Sequence, residues 1–151
     1  MTPTIVEPKP GVDMGRVVVT VRVENEADVR SAAAGEIGED GVRRAEIEAL
    51  VDTGATFLCL PESLVEELGL RFHRVRDTRT VVGVMQMKIY VGAQIEVEGR
   101  SCNVEVMALP EGRQALLGQI PLETLDFWVD VTNHKLVGNP KHGGQWMAEV
   151  F

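Results

Sequence analysis

Asp52 closes the apolar run Ala49-Leu50-Val51 and is followed at once by Thr53-Gly54-Ala55-Thr56, so a carboxylate stands where a strand ends and a tight turn begins. A lone carboxylate is a poor general base at neutral pH. Two held about 3 Å apart cannot both ionise; they share a proton and can activate a water molecule between them. Asp52 therefore needs a partner. The chain holds no second Asp-Thr-Gly or Asp-Ser-Gly, and the nearest echo, Asp77-Thr78-Arg79, lacks both the glycine and an apolar lead-in. The partner would be Asp52 of a second copy.

Asp-Thr-Gly is also an ordinary turn tripeptide, because Asp and Thr hydrogen-bond local backbone and Gly accepts positive φ without steric cost. The flanking residues argue against a solvent hairpin. Ile47-Glu48-Ala49-Leu50-Val51 reads as a strand on one side, and Phe57-Leu58-Cys59-Leu60 resumes one directly after the loop. A turn between two such apolar runs belongs in an interior.

The elements that must hold this loop are mostly strands. Val17, Val19, Val21 and Val23 alternate with Val18, Thr20 and Arg22, the period of two of a half-buried strand. Ala45, Ile47, Ala49 and Val51 do the same. Ile95 and Val97, the turn Glu98-Gly99-Arg100, and the alternating Cys102, Val104, Val106 and Ala108 predict a hairpin. Phe127, Val129 and Val131, a turn at Asn133-His134-Lys135, and Leu136-Val137 predict another. Pro61 opens and Gly69 closes a short helix with Leu64, Leu68 and Val65 on its buried face, and a second helix is expected near Pro121, through Leu122-Glu123-Thr124-Leu125. Residues 24–41 hold six acidic residues and one Arg and read as a long solvated connection, with cover for a cleft as the other use. The last six residues, Trp146 to Phe151, are apolar enough to pack on a partner or on their own subunit.

Two segments resemble the signatures of the retropepsin-like aspartic proteases, in particular the small single-domain bacterial type. They are Ala49 to Pro61 and Leu116-Leu117-Gly118-Gln119-Ile120-Pro121-Leu122, in the order in which that family carries them. The resemblance implies an all-β, closed, mainly antiparallel barrel with one or two short helices. It implies residues 14–140 as the protease domain, between an N-terminal extension of residues 1–13 and a tail of residues 141–151. It further implies a homodimeric endopeptidase acting on extended peptide, with Asp52 catalytic in each copy. Thr53 would hydrogen-bond across to the other copy's loop. Gly54, lacking a Cβ, would bring its N–H close to the carboxylate, and Ala55 would be small because substrate backbone passes near it. A flap hairpin belongs between Thr80 and Tyr90, with Gly83 as hinge or tip and Gly83 and Val84 against the substrate. Bacterial relatives often carry a polar Asp-Gly-Ser turn there, whereas this chain has one glycine among apolar residues, so an ordinary core strand stays open. Gln119 stands where some retroviral members carry a charged residue. A non-catalytic dimeric module that binds peptide or serves assembly, and a monomeric β-barrel binding module, are the competing readings.

Composition narrows the classes. The 151 residues, 44% of them hydrophobic, suffice for one domain with a core of its own. The net charge of −8 and the lack of a basic stripe argue against nucleic acid as a partner. There is no apolar run of 18 residues or more, and Met1-Thr2-Pro3-Thr4-Ile5 resembles no secretory leader; a soluble, cytoplasmic protein without membrane contact is expected. Cys59 and Cys102 read as small buried hydrophobes rather than disulfide partners. His73, His134 and His142 are too scattered for a zinc site, and no P-loop, Gly-x-Gly-x-x-Gly or Gly-x-Ser-x-Gly occurs. No metal or cofactor is expected.

Overall fold

A computed structural model describes residues 16–151; the expected N-terminal extension, residues 1–13, lies outside the described residues. Strand β1 (Val18–Asn25) runs antiparallel to β2 (Arg44–Val51), with Val18 opposite Leu50 and Glu24 opposite Arg44. Its Val19, Val21 and Val23 are buried, as their alternation requires. The acidic connection between them is not simply solvated chain: it contains helix α1 (Glu26–Ala33). The Asn25 side chain accepts the Asp28 N–H at 3.0 Å, Glu26 and Asp28 lie in the first turn where the helix dipole favours anions, and Arg30 pairs with Glu26 one turn on. No residue of α1 is buried, so no apolar period betrayed it.

After the Asp52 loop come β3 (Leu58–Pro61) and helix α2 (Glu62–Glu67), then a long hairpin of β4 (Arg71–Thr80) and β5 (Gly83–Val97). A tight turn at Glu98-Gly99, both at positive φ, leads into β6 (Arg100–Leu109). The short β7 (Leu116–Leu117), helix α3 (Gln119–Leu125), and the small separate hairpin of β8 (Phe127–Asp130) and β9 (Lys135–Gly138) complete the chain. Both expected hairpins are present, and α3 starts two residues before Pro121.

The main sheet has the order β1-β2-β7-β3-β6-β5-β4, and β1 also pairs antiparallel with β5, from Arg22 opposite Glu96 to Asn25 opposite Ala93. The sheet therefore curls into a ring, with β4 left outside as an edge. Two of its pairings, β2 with β7 and β3 with β6, are parallel. The fold is all-β with short helices, as expected; the closure is a strongly curled sheet rather than a strict barrel.

The ring encloses the principal core, from Val17, Val21 and Val23 through Leu58, Leu60, Ile95 and Leu117 to Leu122 and Leu125. On the opposite face of β3, β6 and β7 lies a second cluster of Phe57, Cys59, Ile89 and Met107, with Met87, Leu109 and Leu116 packed against it. A β-bulge between Tyr90 and Ala93 makes this possible. One extra residue in β5 switches which face its odd-numbered side chains occupy. Beyond the bulge Ala93, Ile95 and Val97 point into the ring; before it Ile89 and Met87 join the second cluster. The bulge thus turns one continuous strand into a ring wall and a projecting arm.

The tip of the arm is not a core strand. At its tip Val81 is 97% exposed and Val82 77% exposed, which no core strand would allow. The tail is folded on its own subunit: Trp146 Nε1 donates to Thr124 O and the Met147 N–H to Asp126 Oδ2, while Val150 and Phe151 are fully exposed. Among the described residues no helix is long and apolar enough to cross a membrane.

Candidate active site

The Asp52 loop is carried by backbone hydrogen bonds from underneath. The Leu50 N–H donates to Ala115 O at 2.9 Å and the Asp52 N–H to Leu117 O at 3.0 Å, so β7 fixes the end of β2 at the point where the loop departs. On the far side the Gln119 N–H donates to Ala55 O at 2.8 Å and the Ile120 N–H to Thr56 O at 3.0 Å. The start of α3 thus spends two of its unpaired N–H groups on the loop's returning limb. Between these supports sits Gly118. A Cβ there would lie 2.7 Å from Ala55 O and collide with Phe57 O, so the close passage of Leu116-Leu117-Gly118 beneath Asp52-Thr53-Gly54 requires a residue without a side chain.

Within the loop the Ala55 N–H donates to Asp52 O at 3.0 Å and the Gly54 N–H to Asp52 Oδ1 at 2.8 Å. This orients one carboxylate oxygen and leaves Oδ2 without a partner among the described residues. A Cβ on Gly54 would stand 3.1 Å from that same Oδ1, so glycine keeps the bond short. Asp52 and Ala55 are half-buried, whereas Thr53 and Gly54 are exposed at the apex. The Thr53 hydroxyl has no hydrogen-bond partner among the described residues of its own chain.

The loop borders the second apolar cluster. Phe57 and Cys59 belong to that cluster, and the Cys59 thiol is pushed up to about 12, first by burial and then by the negative charge of Asp52. Cys59 is therefore inert as a nucleophile, and it packs with Phe57 directly after the loop. Cys102, in β6, is likewise pushed up to about 11 by burial, and both thiols are free. Among the described residues no group of three or more His, Cys, Asp or Glu side chains is placed to hold a metal ion.

Asp52, Thr53, Gly54 and Ala55 are thus brought together in one buttressed loop, while Gly83 and Val84 lie at the tip of the β4–β5 arm. The arm's register pairs Arg76 with Met87 and Thr78 with Met85, and directly opposed residues share a face. Arg76, Thr78, Met85 and Met87 therefore lie on the face turned to the second cluster, and the Arg76 guanidinium is 5.4 Å from the centre of the Phe57 ring. Val84 alternates onto the other face. These inward residues are not legible from sequence, because the bulge that sets their face leaves no signal beyond the lone Gly92, whose φ is 99°.

A second polar constellation lies away from Asp52. Asp126, in the left-handed region with φ 60°, is buried and accepts from Asn139 Nδ2 at 3.0 Å, from the His142 ring at 2.6 Å and from the Met147 N–H at 3.1 Å. The His142 bond, burial acting in the opposite sense, and the Asn139 and Met147 bonds together hold its carboxyl down at about 2. His142 is raised by the same bond and by Glu149. Arg100 donates to Leu125 O, Asp126 O and Gly144 O. Every member has its partner within the chain, which marks a structural clasp for the tail.

No curated protein matches the chain. A family model described as aspartyl protease matches residues 33–119, a span that covers more than half of the molecule and includes the Asp52 loop, the β4–β5 arm and the supporting Leu116-Leu117-Gly118. With that match on a curled all-β sheet, the chain belongs to the aspartyl protease family, in its retropepsin-like clan.

Proposed function

We propose that the protein is a homodimeric aspartic endopeptidase in which Asp52 of each copy contributes one half of a catalytic dyad. The observation that carries this is the loop itself: a half-buried carboxylate, held by the Gly54 N–H at 2.8 Å, beside an exposed apex and braced from below by β7 and α3. One Asp52, ionised, takes a proton from the attacking water, while the other, protonated, donates to the carbonyl oxygen of the peptide; the roles exchange as the tetrahedral species collapses. Thr53, whose hydroxyl is unpartnered in its own chain, bonds to the opposing loop and keeps the carboxylates in register. Ala55, Gly83 and Val84 meet the substrate backbone as the arm closes over an extended peptide and excludes water. The working unit is residues 14–140, and a cytoplasmic location suits its two unpaired thiols.

Asp52→Asn tests this directly. An amide cannot share the proton, so hydrolysis of a denatured protein substrate should fall by about a thousandfold or more while circular dichroism and the dimer are unchanged. Equal cleavage by wild type and Asp52→Asn would remove the proposal. A folded dimer that hydrolyses nothing in either form would favour the non-catalytic peptide-binding module.

A further inference from the structure

The β4–β5 arm, whose Arg76 reaches Phe57 just after the Asp52 loop, is basic in a protein that is not. Strand β4 carries Arg71, Arg74, Arg76 and Arg79 against one acid, Asp77, whereas the chain as a whole has a net charge of −8. These arginines are not equivalent. Arg74 is committed to Glu105 at 2.6 Å, and Arg79, opposite Val84, alternates onto the outer face. Arg76 is on the inner face, exposed, with its guanidinium over Phe57 and no carboxylate partner among the described residues. An arginine held by an aromatic ring through its charge keeps its N–H donors for an oxygen ligand, and the planar fork matches a carboxylate in two parallel bonds.

Its neighbours define the rest of the site. Met87 stands directly opposite Arg76, and Met85 opposite Thr78 is the next inward pair toward the tip. Met87 packs on the cluster of Phe57, Cys59, Ile89 and Met107, and Phe57 directly follows the Ala55-Thr56 limb of the Asp52 loop that α3 holds. The wall that runs from the second cluster toward the arm's tip is therefore soft and largely apolar; of its two arginines, Arg74, opposite Ile89, is paired with Glu105, and Arg76 is the one without a carboxylate partner among the described residues. Methionine adapts its shape to what lies against it. A side chain that suits such a wall has an aliphatic stem and an anionic end.

We propose that Arg76, with Met85 and Met87, forms a specificity subsite that takes a glutamate side chain of an extended peptide, within a few residues of the bond to be cut. The inference rests on the protease reading of Asp52 and names the substrate class of that site. Magnitude decides whether such a contact can matter against the repulsion of an acidic molecule. A fully solvated ion pair would yield less than about fivefold, too little to define a preference. A carboxylate bonded by both arms of a guanidinium, and shielded by the peptide and the methionines, yields about tenfold or more over a neutral isostere.

The test uses mixed-sequence decapeptides in which one central position is fixed as Glu, Gln or Lys, scanned through neighbouring positions. Cleavage by the wild-type protein is read by mass spectrometry, and binding of fluorescein-labelled pools to Asp52→Asn protein is read by fluorescence anisotropy. Glu should be favoured over Gln by about tenfold at a defined position in both readouts. Arg76→Glu should abolish that preference and turn it toward Lys, whereas Arg79→Glu, which reverses the same charge on the outer face, should leave it in place. Equal use of Glu and Gln, or a preference that Arg76→Glu does not move, would overturn the subsite. If nothing is cleaved but Asp52→Asn protein still prefers Glu pools through Arg76, the subsite stands and the catalytic reading falls. Cleavage without the preference overturns the subsite and leaves the catalytic reading in place.

Discussion

Gly118 and Asp52 account for one another at the scale of single residues. The loop can be braced from below only because Gly118 has no side chain to collide with Ala55 O and Phe57 O. Both obstacles are backbone atoms and cannot swing aside, so Gly118→Ala should destabilise the fold by about 1–3 kcal/mol in urea denaturation, with a greater loss of activity than of stability because the loop itself must shift. The Asp126 clasp gives a second expectation. The Asp126 carboxyl is held down at about 2, so its contribution is present above the ordinary carboxylate value and is lost as pH falls toward 2. His142 is raised, so its contribution is complete below the ordinary imidazole value and is lost as pH rises through the folded one. The two overlap between about pH 4 and 6.5. The Tm advantage of wild type over His142→Ala should be largest in that window and should shrink in more alkaline solution; an advantage that grows up to pH 9 would contradict the clasp. Sequence alone displayed Asp52 and Gly54 because their roles are local and fall in one tripeptide, whereas Gly118, whose partners Ala55 and Phe57 are remote in the chain, stood out only through the resemblance carried by Leu116-Leu117-Gly118. It did not display Asp126, whose partners Asn139, His142 and Met147 meet only after β8 and β9 have turned the chain back.

At the scale of elements, strands and turns were legible wherever one face is wet and the other dry. β1, the Glu98-Gly99 hairpin and β8–β9 follow their alternation. Helix α1 was not legible, because a helix with no buried face has no apolar period and survives on its Asn25 cap and the Glu26–Arg30 pair. The arm was half legible: its position between the motifs suggested a flap, but which side chains face inward depends on the bulge before Ala93. The turn at its tip is closed by the Thr80 hydroxyl, which accepts the Val82 N–H at 3.2 Å and donates to Gly83 O at 2.8 Å. Gly83 has a φ of 115° and open space around its missing Cβ. Gly83→Ala is therefore strained by backbone conformation alone, by about 1–2 kcal/mol, and that strain is confined to an exposed tip. Amide hydrogen exchange should quicken around residues 78–85 while the global Tm hardly moves, and hydrolysis should slow. A large drop in Tm would mean that the tip is part of the cooperative core.

At the scale of the molecule, the ring closed by β1 and β5 is the frame that carries the Asp52 loop, and the family match over residues 33–119 covers that loop, its β7 support and the β4–β5 arm. Among the described residues no hydrogen bond joins Asp52 to a second carboxylate, and two-fold symmetry is the simplest way for identical chains to bring the same loop together. If two copies of Asp52 make one centre, subunit mixing must dilute it. Wild-type protein is combined with a roughly ninefold excess of Asp52→Asn, the subunits are reassorted by joint refolding, and hydrolysis is measured per wild-type chain. Random pairing leaves about one wild-type chain in ten with a wild-type partner, so activity should fall to about a tenth of that of wild type refolded alone. Activity per wild-type chain that is unchanged by the excess of Asp52→Asn would show that one carboxylate suffices and that the two-copy centre does not exist.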